Sequence, residues 1–383
     1  MPPYNLRWGI IATGSISSEF ARDLLVDPAT RGVADISHNI SAVGSRSVAS
    51  AQKFINSLSS AIPSEGWHWG VENGKLGGVK ACGSYQEVYD DPNVDVIYVG
   101  TPPSAHHQNV KDALLAGKHV LCEKPFTFDL EELDELISIA KDKKLFLMEA
   151  VWTRFHPLAA KVAKVIDSGK LGKPQRFSAD FSMDWKPDNE PASHRMLDPA
   201  LGGGSLLDMG PYPSVWAMLL VQRNPHNRDQ DPQVLFSHQT LYERTQVDLN
   251  SRWLVQWKDL CQGLLLSDLS ASGQREATAV LQCEEGDLVI HYPPYKAETF
   301  SIVPRPDRFA GSITQKTTHH HPVAQGNNGL SYEADEVARC LRDGKIESEK
   351  MPWAESRIVQ GWFDVVRKHG PTPLANVKGT AGQ

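Results

Sequence analysis

Cysteine is scarce in this chain. Its five cysteines (Cys82, Cys122, Cys261, Cys283, Cys340) are odd in number and never stand in a Cys-x-x-Cys spacing, so neither a disulfide framework nor a structural zinc site is indicated. A large excess of one charge is also lacking. Thirty-nine basic residues against 46 acidic ones give a net charge of −7 with no long run of either sign, which argues against general affinity for a nucleic-acid backbone. No stretch approaches the roughly 18 apolar residues of a membrane span. The start, MPPYNLRWGII, has no basic segment leading into an apolar one and a cleavage site. These absences point to a reducing, cytosolic setting and to partners other than membrane or nucleic acid. What is present is ordinary globular composition, 40% hydrophobic and 22% charged, in 383 residues. That length suits two domains of roughly 100 to 200 residues each.

The first 150 residues alternate short apolar runs with amphipathic segments: Arg7 to Ala12, then Ser15 to Val26; Asn39 to Ser45, then Val48 to Leu58; Val94 to Gly100, then Ala105 to Ala116; His119 to Glu123, then Asp129 to Lys143. Such alternation predicts parallel strands with crossover helices. VDVIYVG and HVLCE are apolar on both faces, as strands covered on both sides must be. A doubly wound α/β domain over 1–150 follows, with Ser59 to Gly78 as a surface insertion rich in Gly, Pro and Trp. After a further strand at Leu145 to Val151 the texture changes. FSADFSMDW, VLFSHQTLYE, VDLNSRWLVQWKD, ATAVLQCEEGDLVIHYPP and ETFSIVP alternate over longer lengths, and Glu285-Gly286-Asp287 reads as a turn. Residues 151–383 are therefore expected to form an α+β domain on an open, mostly antiparallel sheet. Lys186 to Pro199 and Gln222 to Pro232 read as loops, Ser331 to Arg342 and Pro352 to His369 as helices.

Between the first strand and helix stands Gly9-Ile10-Ile11-Ala12-Thr13-Gly14-Ser15-Ile16, where backbone amides and the helix dipole favour a phosphate group. The match to G-x-G-x-x-G is imperfect, because Ala12 stands where a glycine is usual; the residues alone leave open a plain strand-to-helix turn. At the end of the second strand Ser45 and Arg46 occur where a carboxylate would bind the ribose of NAD. A guanidinium with hydroxyls suits a 2′-phosphate instead, so NADP is the expected cofactor, the alternative being a surface arginine. Two further signals fall at strand ends, where open parallel sheets bind ligands: Thr101-Pro102-Pro103-Ser104-Ala105-His106 and Glu123-Lys124-Pro125.

In the second half, Gly202-Gly203-Gly204-Ser205-Leu206-Leu207-Asp208-Met209-Gly210-Pro211-Tyr212 is the most unusual segment. Asp208 and Tyr212, at i and i+4, share a helix face if the segment is helical. The pair is either a buried hydrogen-bonded couple or a reactive one, since a phenol beside a lysine ammonium has its pKa drawn down from about 10 toward neutrality. Trp152, Arg154 and Phe155 could wall a pocket or pack a junction. His319-His320-His321 stands on an expected loop without a carboxylate or cysteine ligand set, so no metal is expected.

Together AVWTRF, CEKP, TPPSAHH and GGGSLLDMGPY resemble the Gfo/Idh/MocA oxidoreductase family, within it the branch of dimeric dihydrodiol dehydrogenases and fungal NADP-dependent D-xylose 1-dehydrogenases. The likeness extends to the tail GLSYEADEVARCLRDGKIESEKMPW. It implies an N-terminal Rossmann domain, a C-terminal domain on an open antiparallel sheet, and homodimerisation through that sheet's face. It implies Lys124 as a catalytic residue and Tyr212 as the acid/base, with Asp208 helping to hold hydroxyls. Cofactor contacts are expected from Gly9, Ala12 to Ile16, Ser45, Arg46, Thr101, Pro102, His106, Glu123, Lys124 and Arg154. Substrate contacts are expected from Lys124, Trp152, Arg154, Asp184, Trp185, Asp208 and Tyr212. The implied activity is NADP-linked oxidation of the anomeric carbon of D-xylose, with oxidation of aromatic trans-dihydrodiols as the alternative. A non-enzymatic, dinucleotide-binding transcriptional regulator is disfavoured by the presence of both Lys124 and Tyr212.

Overall fold

The computed structural model describes residues 2–58, 76–305, 315–369 and 371–373. Of the expected insertion Ser59 to Gly78, residues 59–75 lie outside this set, and 76–78 form a turn. The chain divides into two compact units, one of residues 1–155 with 323–356 and one of 156–322 with 357–383.

The first unit is built on six parallel strands, β1 (Tyr4–Ile11), β2 (Ile36–Gly44), β3 (Lys80–Cys82), β4 (Val96–Val99), β5 (His119–Glu123) and β6 (Leu147–Ala150), in the order β3-β2-β1-β4-β5-β6. Every residue of β4 and β6 is buried, which accounts for the unbroken apolar run of β4 and leaves Glu149 the one ionisable residue of β6. Helices α1 (Ser15–Leu25), α2 (Val48–Leu58), α3 (Gln86–Tyr89), α4 (His106–Leu115) and α5 (Leu130–Lys143) fill the crossovers. Helix α5 has matched ends. The Asp129 carboxylate accepts the Glu132 amide at 2.9 Å, Glu131 and Glu132 lie in the first turn, and Lys141 and Lys143 in the last. The strand order reverses between β1 and β4, so the loops after these two strands face the same crevice.

The second unit carries a nine-stranded sheet: β7 (Pro174–Ser182), β8 (Gln233–Leu241), β9 (Asp248–Trp257), β10 (Cys261–Asp268), β11 (Ala279–Cys283), β12 (Gly286–Ile290), β13 (Thr299–Pro304), β14 (Thr317–His320) and β15 (Pro371–Pro373). Its order is β14-β13-β12-β11-β7-β10-β9-β8-β15, antiparallel except for the β7–β10 and β8–β15 pairs. Helices α6 (Pro157–Asp167), α7 (Ser205–Met209) and α8 (Pro211–Ala217) belong to this unit. Two expectations are corrected. The β11–β12 turn falls on Glu284 and Glu285, because Asp287 already pairs with Gln282 in the ladder. The histidine run is mostly strand β14 rather than loop, and His319 stacks on Phe300 with ring centroids 4.7 Å apart.

Helix α9 (Ser331–Arg342) follows strand β14 in sequence yet belongs to the first unit, so the expected single boundary at 150/151 becomes a discontinuous partition. Buried polar anchors explain the return. Asp335 takes both arms of Arg31 at 2.7 Å and His38 Nε2 at 2.9 Å. Burial alone would raise the Asp335 pKa, but the Arg31 and His38 bonds hold it below the ordinary value. Asp23 accepts the amides of Asn328 and Gly329 and that of Ser331, the first residue of α9. In helix α10 (Trp353–His369), Trp353 Nε1 donates to Leu147 O at 2.8 Å in the first unit. Trp362 and Phe363 pack on Trp257 and Trp253 in the second. Among the described residues no helix is long and apolar enough to cross a membrane.

Candidate active site

In the first unit the expected cofactor residues gather at the carboxyl ends of the strands. Gly9 is required by packing, since a Cβ there would stand 2.6 Å from Val88. Ala12 adopts φ 70°, a left-handed conformation that costs a non-glycine residue roughly 1 to 2 kcal/mol. Its amide is held by Gly44 O at 3.1 Å, which pins the loop to the end of β2. Gly14 then caps α1, and a Cβ added there would meet nothing within 4 Å. This open cradle at the N-terminus of an 11-residue helix, with no acidic side chain in its first turn, fits a dinucleotide's phosphates on the amides that begin at Ser15 and Ile16. Thr13 Oγ1 lies 3.3 Å from Ser45 Oγ, so the loop and the end of β2 form one surface; Ser45 is buried and Arg46 exposed.

The loops after β4 and β5 are tied together. His106 is wholly buried, with Nε2 2.8 Å from Thr101 O and Nδ1 2.8 Å from Pro125 O. Burial pushes its pKa down, against the pull of those carbonyls. Both ring nitrogens face carbonyl oxygens of the two loops, so His106 sits between them as a brace. Asn109 donates to Thr101 Oγ1 at 3.1 Å, and Pro102 leads exposed into the short turn Pro103–Ala105. Tyr98 donates to Glu123 Oε1 at 2.6 Å. Burial pushes Glu123 up to about 7, opposed by the Tyr98 bond and by Lys124. Burial likewise raises Glu149 to about 6, opposed by bonds from Ser356 and the Phe126 amide and by Arg154 and Lys124. Lys124, half-buried at the start of this turn, thus sits in the field of two buried carboxyls. Arg154 is buried, pairs with Glu355 and donates to Lys350 O at 2.7 Å, and its neighbours Trp152 and Phe155 are buried with it.

In the second unit the glycine-rich segment forms α7 and α8. Gly204 has φ +116°, and a Cβ there would lie 2.1 Å from Asp248 Oδ1. The space goes to Asp248, whose Oδ2 accepts Ser205 Oγ, the Leu206 amide and Ser251 Oγ, each at 2.7 Å. A half-buried carboxylate therefore anchors the start of α7. Gly210 keeps helical angles between α7 and α8, so the i, i+4 relation of Asp208 and Tyr212 survives the proline at 211. Tyr212 is buried against Phe181 (5.4 Å between centroids) and Tyr295 (5.8 Å). Arg195 Nη1 bonds Asp208 Oδ1 at 3.0 Å, and the guanidinium carbon lies 5.8 Å from the Trp185 ring centroid. Asp184 is exposed and accepts the Lys186 amide at 2.9 Å.

The sequence reading missed three residues here. Arg195 lies in a segment read only as a polar loop, Tyr295 in a proline-rich turn, and Asp248 is 43 positions from the helix it anchors. Nothing local marks any of them; the Pro-Pro-Tyr turn and the lone arginine were the signals on offer. Among the described residues no group of three or more His, Cys, Asp or Glu is arranged to hold a metal ion.

Comparison with known proteins adds to this geometry. Residues 6–151 match the family described as an oxidoreductase family with an NAD-binding Rossmann fold, and residues 159–289 match the GFO/IDH/MocA C-terminal domain. A D-xylose 1-dehydrogenase (NADP+) of Hypocrea jecorina is 35% identical over 380 residues, covering 96% of this chain and 93% of that protein. The human trans-1,2-dihydrobenzene-1,2-diol dehydrogenase is 31% identical, covering 95% and 96%. Among solved structures, a 3-ketoreductase from Actinomadura kijaniata with NADP and TDP-benzene superposes with a TM-score of 0.74 at 21% identity, covering 96% of this chain and 98% of that one. A levoglucosan dehydrogenase with NADH and levoglucosan gives 0.77 at 19%, covering 95% and 98%, a likeness of fold.

Proposed function

The chain belongs to the Gfo/Idh/MocA oxidoreductase family, and from that premise we propose that it is an NADP-dependent D-xylose 1-dehydrogenase. The reaction is oxidation of the anomeric carbon of D-xylose to D-xylono-1,5-lactone. The observation that carries the reading is full-length likeness to an NADP-linked xylose dehydrogenase. The presence of Lys124, Asp208 and Tyr212 supports it. In the proposed chemistry Tyr212 takes the proton of the C1 hydroxyl as the C1–H bond gives up its hydrogen with both electrons. When bound, the nicotinamide supplies the acceptor for that hydride. The Lys124 ammonium stabilises the phenolate and orients the sugar, and Asp208 accepts from a neighbouring hydroxyl. Ser45 and Arg46, at a strand end without a carboxylate, suit the 2′-phosphate of NADP.

A second reading, oxidation of an aromatic trans-dihydrodiol, is favoured by Phe181 and Tyr295 around Tyr212, since planar rings pack well on aromatic walls. Steady-state NADPH formation with pentoses, hexoses and trans-dihydrobenzenediol separates the two. Higher kcat/KM for D-xylose supports the sugar reading, and higher kcat/KM for the diol replaces it.

The reading extends to assembly and location. Phe236, Leu254 and Leu264 stand opposite one another on β8, β9 and β10, with Phe236 59% and Leu264 43% exposed. Such an apolar row on an open sheet suits a homodimer, which light scattering of the purified protein tests. All five cysteines are buried and free, which suits the cytoplasm.

A further inference from the structure

Arg195 has no role in the chemistry above, yet it is held in two ways. One Nη donates to Asp208 at 3.0 Å, and the guanidinium lies over Trp185 at 5.8 Å. Asp208 and, more weakly, Tyr212 favour its charged form, so both feel its field. The side chain nonetheless keeps 57% of its surface exposed. A guanidinium has five N–H donors, and among the described residues the Asp208 bond is the partner the structure gives it. The remaining donors form a planar fork that is fixed in orientation and unspent. Beside it, Trp185 Nε1 is buried with no hydrogen-bond partner among the described residues. The cluster therefore offers directed donors next to a carboxylate acceptor, all within one unit and on the Asp208 side of Tyr212.

We propose that Arg195 is a specificity-determining residue: with Asp208 it forms a donor and acceptor pair that takes two adjacent hydroxyls of the substrate, the reacting one and its neighbour. The fork reaches two oxygens at once, which a lysine ammonium as a point charge does not reproduce. This rests on the dehydrogenase reading but not on the choice of sugar, because a trans-dihydrodiol also carries vicinal hydroxyls. A substrate without the second hydroxyl would leave the pair unmatched, so discrimination against 2-deoxy substrates should originate here.

The test uses the full-length protein with Arg195→Gln and Arg195→Lys, assayed with D-xylose, its 2-deoxy analogue and trans-dihydrobenzenediol. Both variants should raise KM for the parent's preferred substrate at least 10-fold and change kcat less. Preference for D-xylose over the 2-deoxy analogue should fall to within about threefold, and NADPH binding by fluorescence should be unchanged. KM and discrimination within twofold of the parent overturn the proposal. So does full rescue by lysine, which would reduce the role to charge alone. If the parent prefers the diol, the sugar reading fails, while a raised KM for the diol in Arg195→Gln still supports the vicinal-hydroxyl role. A parent that oxidises none of these compounds overturns both.

Discussion

The strand-end loops of the first unit and the α7–α8 region of the second make their candidate sites by different means. In the first, consecutive residues at the ends of β1, β2, β4 and β5 are brought together by the sheet itself, and the polar side chains underneath are buried braces: His106, Glu123, Glu149 and Arg154. In the second, the groups come from separate places in the chain, Arg195 from a loop, Tyr295 from a turn and Asp248 from a strand. A parallel sheet assembles a site by topology. A helix start laid against an open sheet needs individual anchors, and each anchor is a point at which it fails.

The largest expected effect lies on the second side. Tyr212→Phe keeps the ring contacts with Phe181 and Tyr295 and removes only the ionisable hydroxyl. Turnover should fall roughly 100-fold or more while NADPH binding persists. Lys124→Met, on the first side, should do similar damage and move the pH optimum of residual activity upward, because the ammonium proposed to favour the phenolate is gone. A Tyr212→Phe enzyme with near-parental turnover would return that residue to a packing role.

Next in size, Arg46→Ala should raise KM for NADP by one to two orders of magnitude and leave KM for NAD almost unchanged. A charge-assisted bond of roughly 1.5 to 3 kcal/mol is lost. Equal use of both cofactors by the parent contradicts the role given to Arg46.

These differences explain what could be read in the sequence. The strand and helix rhythm of the first half was legible because strands buried on both faces must be continuously apolar, and the turn from Ala12 to Ile16 because only certain residues turn a strand directly into a helix. Lys124 and Tyr212 were legible as motif residues. Arg195 and Asp248 were not, because an arginine in a polar loop and an aspartate at a strand start look like solvated residues until the contact is formed. The return of α9 to the first unit was hidden for the same reason: its anchors, Asp23 and Arg31, lie about 300 positions away. Ala12 breaks the glycine pattern, yet the structure keeps the left-handed turn that a glycine would make.

Removing the anchor sharpens the contrast. Asp248→Ala strips three hydrogen bonds from the start of α7 and should destabilise the protein by on the order of 2 to 3 kcal/mol, read as a shift in the urea midpoint. A change of less than 0.5 kcal/mol would mean that α7 holds its place without the carboxylate.

The smallest effect concerns the braces of the first side. Glu123 and Glu149 have folded pKa values near 7 and 6, above the ordinary 4.5, so the folded state binds their protons more tightly than the unfolded one. Their contribution to stability is fully present below about pH 4.5 and is lost as pH rises through 6 and 7. Glu123→Gln should flatten the fall in Tm between pH 5 and 8, and an unchanged slope would contradict the assignment.

The reaction proposed for this chain is oxidation of a sugar hydroxyl at the expense of NADP. It is tested most directly by measuring kcat/KM for D-xylose with NADP and with NAD, and for trans-dihydrobenzenediol with NADP, on the purified protein. The highest value is expected for D-xylose with NADP, at least 10-fold above either alternative. A higher value for the diol, preference for NAD, or no NADPH formation with any pentose would contradict it.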